Sequence, residues 1–128
     1  MANQITNIGG VLSAVTATVA YTDSSAVTIA TLPANSQIID INIDVTTAFN
    51  AGTTNTMTVG KTGSAAAFVA STSVGSAGRA SVATTGVYSA WADTGSSEIS
   101  VTATYGQSGT AATAGAARVT VVYKTYAP

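Results

Sequence analysis

Apolar and polar residues alternate along three stretches of the chain. From Gln37 to Thr47, Ile39, Ile41, Ile43 and Val45 fall on one side, and Asp40, Asn42, Asp44 and Thr46 fall on the other. A period of two held over that length predicts a β-strand with one dry and one wet face. Ser97 to Tyr105 repeats the pattern, with Ile99, Val101, Ala103 and Tyr105 inward. Ala117 to Tyr123 does so again, with Val119, Val121 and Tyr123 inward and Arg118, Thr120 and Lys124 outward. Weaker strands, rich in Val, Thr and Ile, are predicted at Val11 to Tyr21, Ala26 to Thr31, Thr54 to Val59, Arg79 to Ala83 and Val87 to Trp91. No segment carries a helical stripe. Ser64 to Ala70 has the alanines for a single helical turn, too short to stand alone.

Glycines separate these runs, while Pro33 and Pro128 are the only prolines. About eight short strands, punctuated every 8–12 residues or so, predict an all-β, antiparallel β-sandwich or barrel. Gly60 to Gly78 and Gly106 to Gly115 are expected to be loops, and Met1 to Gly10 an N-terminal arm ahead of a single domain over residues 11–128.

Composition narrows the possible functions. Of the 128 residues 46% are hydrophobic, enough for a real core, but only 7% are charged, against about 25% in an ordinary globular chain. A folded monomer of this mass exposes roughly 6,000 Å², so nine charges leave about 700 Å² of surface for each. A net charge of -1 adds little colloidal repulsion. Such a surface suits being covered by neighbours. Cysteine and histidine are absent, which removes disulfides, the usual zinc ligands and Cys or His catalysis. Four scattered basic residues are too few to neutralise a phosphate backbone, so no nucleic-acid partner is expected. Val11 to Ala20 is apolar, but it lacks a preceding Lys or Arg and interleaves Ser13, Thr16 and Thr18. Neither a signal peptide nor a membrane span is expected there.

The candidate motifs weaken on inspection. Gly60-Lys61-Thr62 looks like the end of a phosphate-binding loop, but Asn55 stands where the first glycine belongs and no helical pattern follows. Asp40-Ile41-Asn42-Ile43-Asp44 resembles the start of a calcium loop, yet Val45 and Ala51 occupy the positions that need glycine and glutamate. The wet face of a strand explains these acids better, with a cation bridging Asp40 and Asp44 to a neighbouring subunit as the rival. As a glycosidase pair they would have Cα atoms roughly 13 Å apart, beyond the spacing of either hydrolytic geometry. The serines have no histidine base. The expectation is a non-enzyme with no cofactor and no bound metal. Tyr88 and Trp91, three apart on a regular strand, would face opposite sides, one in the core and one partly exposed. With Arg79, Arg118 and Tyr126 they are the candidate interface residues.

The run LPANSQIIDINIDVTTAFNAGTTNTMTVG, Leu32 to Gly60, resembles a segment that recurs in small structural proteins of tailed bacteriophages. Its marks are the leucine-proline entry, the alternating Ile/Val strand, the TAFN-like turn at Thr47 to Asn50 and the short strand ending in Val59-Gly60. The Ser/Ala-rich stretch with Phe68 and the ending AGAARVTVVY are similar in flavour. The resemblance implies a capsid decoration or cement protein: a β-sandwich, jelly-roll-like, often trimeric, bound to the major capsid protein on the exterior of the virion. It carries over no catalytic residue. The rival readings are a carbohydrate- or receptor-binding β module of a head or tail fibre, which would use the aromatics near Tyr88 and Trp91, and a tail structural protein.

Overall fold

A computed structural model describes residues 12–82 and 87–125. Eight strands, β1 (Ser13–Ala20), β2 (Val27–Leu32), β3 (Ser36–Thr47), β4 (Thr54–Lys61), β5 (Ser64–Ser73), β6 (Gly78–Arg79), β7 (Ile99–Ser108) and β8 (Ala116–Thr125), form two four-stranded sheets. The first has the order β1-β8-β3-β6 and the second β2-β7-β4-β5, with antiparallel neighbours throughout. The chain is the antiparallel sandwich that the alternation predicts. Its core lies between the sheets: Ile41, Ile43, Val119 and Val121 from the first meet Met57, Val59, Val101 and Ala103 from the second, all fully buried.

The strongest sequence pattern holds with one correction. Ile41, Ile43 and Val45 are buried as expected, but Ile39 is 38% exposed and Ile38, at 3%, takes the inward place. The pairing of β3 with β8 steps from Ile38↔Tyr123 to Asp40↔Val122, so Ile39 is the extra residue of a β-bulge. A bulge slips the alternation by one position. With two adjacent isoleucines, the hydrophobic pattern fits either phase. Val101, Ala103, Tyr105, Val119 and Val121 are buried as the alternation requires, while Ile99 and Tyr123 are half-buried.

The weaker expectations fared less well. Ser64 to Ala70 is strand, not a helical turn, and most of the expected loop from Gly60 to Gly78 is the β4–β5 hairpin. Alanine's helix propensity amounts to tenths of a kcal/mol per residue, whereas pairing with β4 lets Phe68 and Val69 bury fully. Gly60 permits the tight hairpin: a Cβ there would stand 2.1 Å from the Ser64 carbonyl oxygen. Val87 to Trp91 is not a strand, since Tyr88–Trp91 form a 3₁₀ turn. The strand expected from Arg79 shrinks to the two residues of β6. Between Gly106 and Gly115, β7 runs on to Ser108 and the remainder is loop. The predicted arm, Met1 to Gly10, lies outside the described residues.

The TAFN turn proves to be a clamp. Phe49 packs on Tyr105, with ring centroids 4.5 Å apart. Gly115 lies under its ring, at φ 150°, so close that a Cβ would come within 2.4 Å of a ring carbon. Asn50 Oδ1 accepts from the backbone N–H groups of Thr113 and Ala114, and its Nδ2 donates to Thr113 Oγ1. Asn55 closes the next turn: its Oδ1 accepts the Ala51 N–H at 2.8 Å and the Tyr105 hydroxyl at 2.6 Å.

Candidate functional site

The sandwich presents two unlike outer faces. On the first sheet the register sets Asp44 between Arg118 of β8 and Arg79 of β6, with Thr18 beside Arg118 and Thr16 beside Thr120. Arg118 donates to Asp44 at 2.5 Å, Arg79 lies 3.6 Å from Asp40, and the hydroxyls of Thr16 and Thr120 are 2.8 Å apart. The acids are thus satisfied within the sheet. Among the described residues no three metal-ligating side chains cluster. With Lys124, five of the nine charges of the chain lie on strands of this sheet.

The second sheet carries one charge, Lys61 at the end of β4, and its outer face is uncharged. Val101, Ala103 and Tyr105 of β7 point inward, so the alternate residues Ser100, Thr102, Thr104, Gly106 and Ser108 belong to the other face, where Thr102 and the Thr104 hydroxyl are themselves shielded by their neighbours. The register adds Thr54, Thr56, Thr58 and Gly60 from β4, Thr28 and Thr31 from β2, and Ser73 from β5. Every one is a hydroxyl residue or glycine. Thr54 and Ser108 share a hydroxyl hydrogen bond of 2.6 Å, so part of this carpet is tied down. Lys61 and Glu98 stand at its rim, beside a concavity that they line with Thr62, Ile99 and Ser100.

The aromatic pair sits apart, beside β5. Residues three apart eclipse in a 3₁₀ turn, so Tyr88 and Trp91 do not face opposite sides as a strand would have set them. Their rings meet edge to face, with centroids 4.8 Å apart. The division between core and surface holds, for Trp91 is 5% exposed and Tyr88 61%. Trp91 donates its indole N–H to the Phe68 carbonyl at 2.7 Å, in the core. Among the described residues, three of the concavities have no aromatic wall: Thr53 to Thr56 with Ser73, Gly75 and Ser76 line one, Lys61 and Glu98 flank the second, and Ala26, Thr102 and the β4–β5 turn line the third. Of the five candidate interface residues, the fold brings Tyr88 to Trp91, sets Arg79 and Arg118 in ion pairs on the first sheet, and leaves Tyr126 outside the described residues. Sequence reasoning missed the neutral second face, which depends on strand order, and the roles of Asn50 and Asn55. The TAFN motif was the only signal for Asn50.

No family model and no curated protein matches the chain. Solved structures do. A chain of the cyanophage Pam1 capsid asymmetric unit superposes with a TM-score of 0.71 at 20% identity, covering 98% of this chain and 93% of that one. A chain of the capsid of Ralstonia phage GP4 gives 0.62 at 16% identity, over 100% and 93%. One from the acid-stable capsid of the Helicobacter pylori bacteriophage KHP30 gives 0.55 at 13% identity, over 93% and 97%. The likeness is one of fold. It runs the length of each chain, so it reflects neither an embedded subdomain nor a shared motif.

Proposed function

We propose that this protein is a structural component of a bacteriophage virion, a decoration or cement protein that binds the major capsid protein on the exterior of the shell and is not an enzyme. The observation that carries the reading is the full-length likeness to chains of similar size in three phage capsid structures. The strand orders β1-β8-β3-β6 and β2-β7-β4-β5 support the jelly-roll reading of the sandwich. The molecule is one domain, with Met1 to Gly10 as an arm, and it acts as a homotrimer.

The physical case is independent of the likeness. Reinforcing a shell takes area, not chemistry. A standard footprint of roughly 800 Å² per partner gives a gross apolar transfer term near 10 kcal/mol, much of it lost to ordering and desolvation. Repetition over the shell lets weak contacts suffice. The outer face of the second sheet suits such a footprint. It offers short side chains with little rotamer entropy to lose and no charge to desolvate.

Adding purified protein to particles that lack it tests the reading. Rebinding and a higher rupture temperature are expected, and a protein that leaves the shell untouched overturns it. One observation favours the carbohydrate-binding rival, namely the exposed ring of Tyr88. Specific glycan binding lost in Tyr88→Ala would establish that reading instead.

A further inference from the structure

Four strands form the rims of the two sheets, and three of them carry features that block further pairing. β6 has only two residues and ends in Arg79. β2 bulges between Thr28 and Ala30. β5 slips register twice against β4, and its Phe68 carbonyl is taken by the Trp91 indole. Shortness, charge, bulges and a covering element are the devices that stop a sheet edge from adding a foreign strand.

Among the described residues, β1 has none of them. Its eight residues, SAVTATVA, carry no charge and no proline, and they hold one unbroken register with β8, from Ser13↔Tyr123 to Ala20↔Ala116. Two of the four exposed large hydrophobics among the described residues lie on this rim, Leu12 at 53% and Val15 at 36%. Val15 pairs with the buried Val121 and so belongs to the inward face, yet it stays open because no described residue flanks β1 on its free side.

We propose that β1 is a strand-addition surface for a second copy of this chain, the two β1 strands pairing antiparallel about a two-fold axis. Self-pairing closes without leaving a free edge at the contact. An uncharged strand sets no like charges opposite each other. A two-fold axis normal to the sheet keeps the faces matched. Ala14, Thr16 and Thr18 then meet their counterparts on the outer face, much as Thr16 already meets Thr120, and Val15, Ala17 and Val19 meet on the inner face. The rim is about 27 Å long and the sandwich about 20 Å deep, which gives about 500 Å² per partner, short of the roughly 800 Å² of a standard interface. The contact is therefore weak between free molecules and cumulative in an array. It needs no capsid, and a two-fold contact would link one proposed trimer to the next.

The absence of cysteine makes the test direct. Single cysteines placed at each position from Ser13 to Val19 are oxidised in the free protein at millimolar concentration. Only the residue on the axis faces its own copy, at about 4.5–5.5 Å between Cα atoms, within disulfide range; a residue two positions away is about 13 Å from its copy. Cross-linked dimer should therefore peak at one position, about tenfold above its neighbours. Adding Val15→Lys to that variant, or Thr16→Lys where the peak is at position 15 itself, should abolish the peak while circular dichroism and the unfolding midpoint stay unchanged. Absent or uniform cross-linking overturns the proposal. So does loss of shell rebinding in Val15→Lys without any cross-link peak, which would assign the rim to the capsid protein. A sharp peak in a protein that never rebinds shells would leave this contact standing and remove the capsid reading.

Discussion

Asn55 marks the limit of what a motif search can see. It occupies the position where a phosphate-binding loop needs glycine, and its work is structural: it accepts the Ala51 N–H and the Tyr105 hydroxyl together. Ala51 is four residues away, but Tyr105 arrives from β7, 50 residues away. Burial raises the Tyr105 hydroxyl above its ordinary value of 10.0. A group whose acid form is favoured by folding contributes stability in full below the unfolded-state value and loses it as pH rises through the folded-state value. Tyr105→Phe should therefore cost about 1 kcal/mol at neutral pH, since Asn55 Oδ1 keeps the Ala51 N–H. It should also flatten the alkaline fall in stability above pH 10.0. Urea unfolding from pH 7 to about 11 reads both effects, and parallel curves for the two proteins would show that Tyr105 ionises as freely folded as unfolded.

Among elements, legibility followed the strength of the local pattern. β3, β7 and β8 could be read because alternation with β-branched residues spans the whole strand, and only the Ile38-Ile39 pair left its phase open. β5 could not, since its alanines lean towards helix and the decision comes from pairing with β4. The 3₁₀ turn was illegible for a related reason: Tyr88 to Trp91 is too short to show a period, and Trp91 is fixed by β5 from 23 residues away. The same contact makes the turn a cover for the β5 rim. Trp91→Phe keeps the ring and removes the donor, leaving the Phe68 carbonyl unpaired in the core, for about 1–3 kcal/mol. Trp91→Ala adds a cavity and should cost about 3–5 kcal/mol. Chemical denaturation measures both. Costs under about 0.5 kcal/mol, the range of surface substitutions, would mean that the turn detaches from β5 in solution.

For the whole molecule, the composition foretold a charge-poor surface but not its polarisation into a charged first sheet and a second one whose outer face is uncharged. That division depends on strand order, which puts Asp40, Asp44, Arg79 and Arg118 on one sheet and the threonines of β4 and β7 on the other. It also makes the proposed capsid footprint testable without a complex structure. Attraction between exposed charges is screened over about 10 Å at 0.1 M salt and about 3 Å at 1 M, so a contact made by the first sheet would weaken steeply across that range. A contact made by the hydroxyl face has no such term, and strongly excluded salts such as sulfate should strengthen it by favouring burial. Shell affinity is therefore expected to change by less than about threefold between 0.1 and 1 M sodium chloride, and to rise in sodium sulfate at matched ionic strength. Arg118→Ala should leave attachment unaltered and cost little stability, since exposed ion pairs contribute about 0–1 kcal/mol and the Arg118 and Asp44 side chains are 57% and 33% exposed. A tenfold loss of attachment in high chloride, abolished by Arg118→Ala, would place the footprint on the first sheet instead. The second sheet's uncharged face would then look outward from the particle.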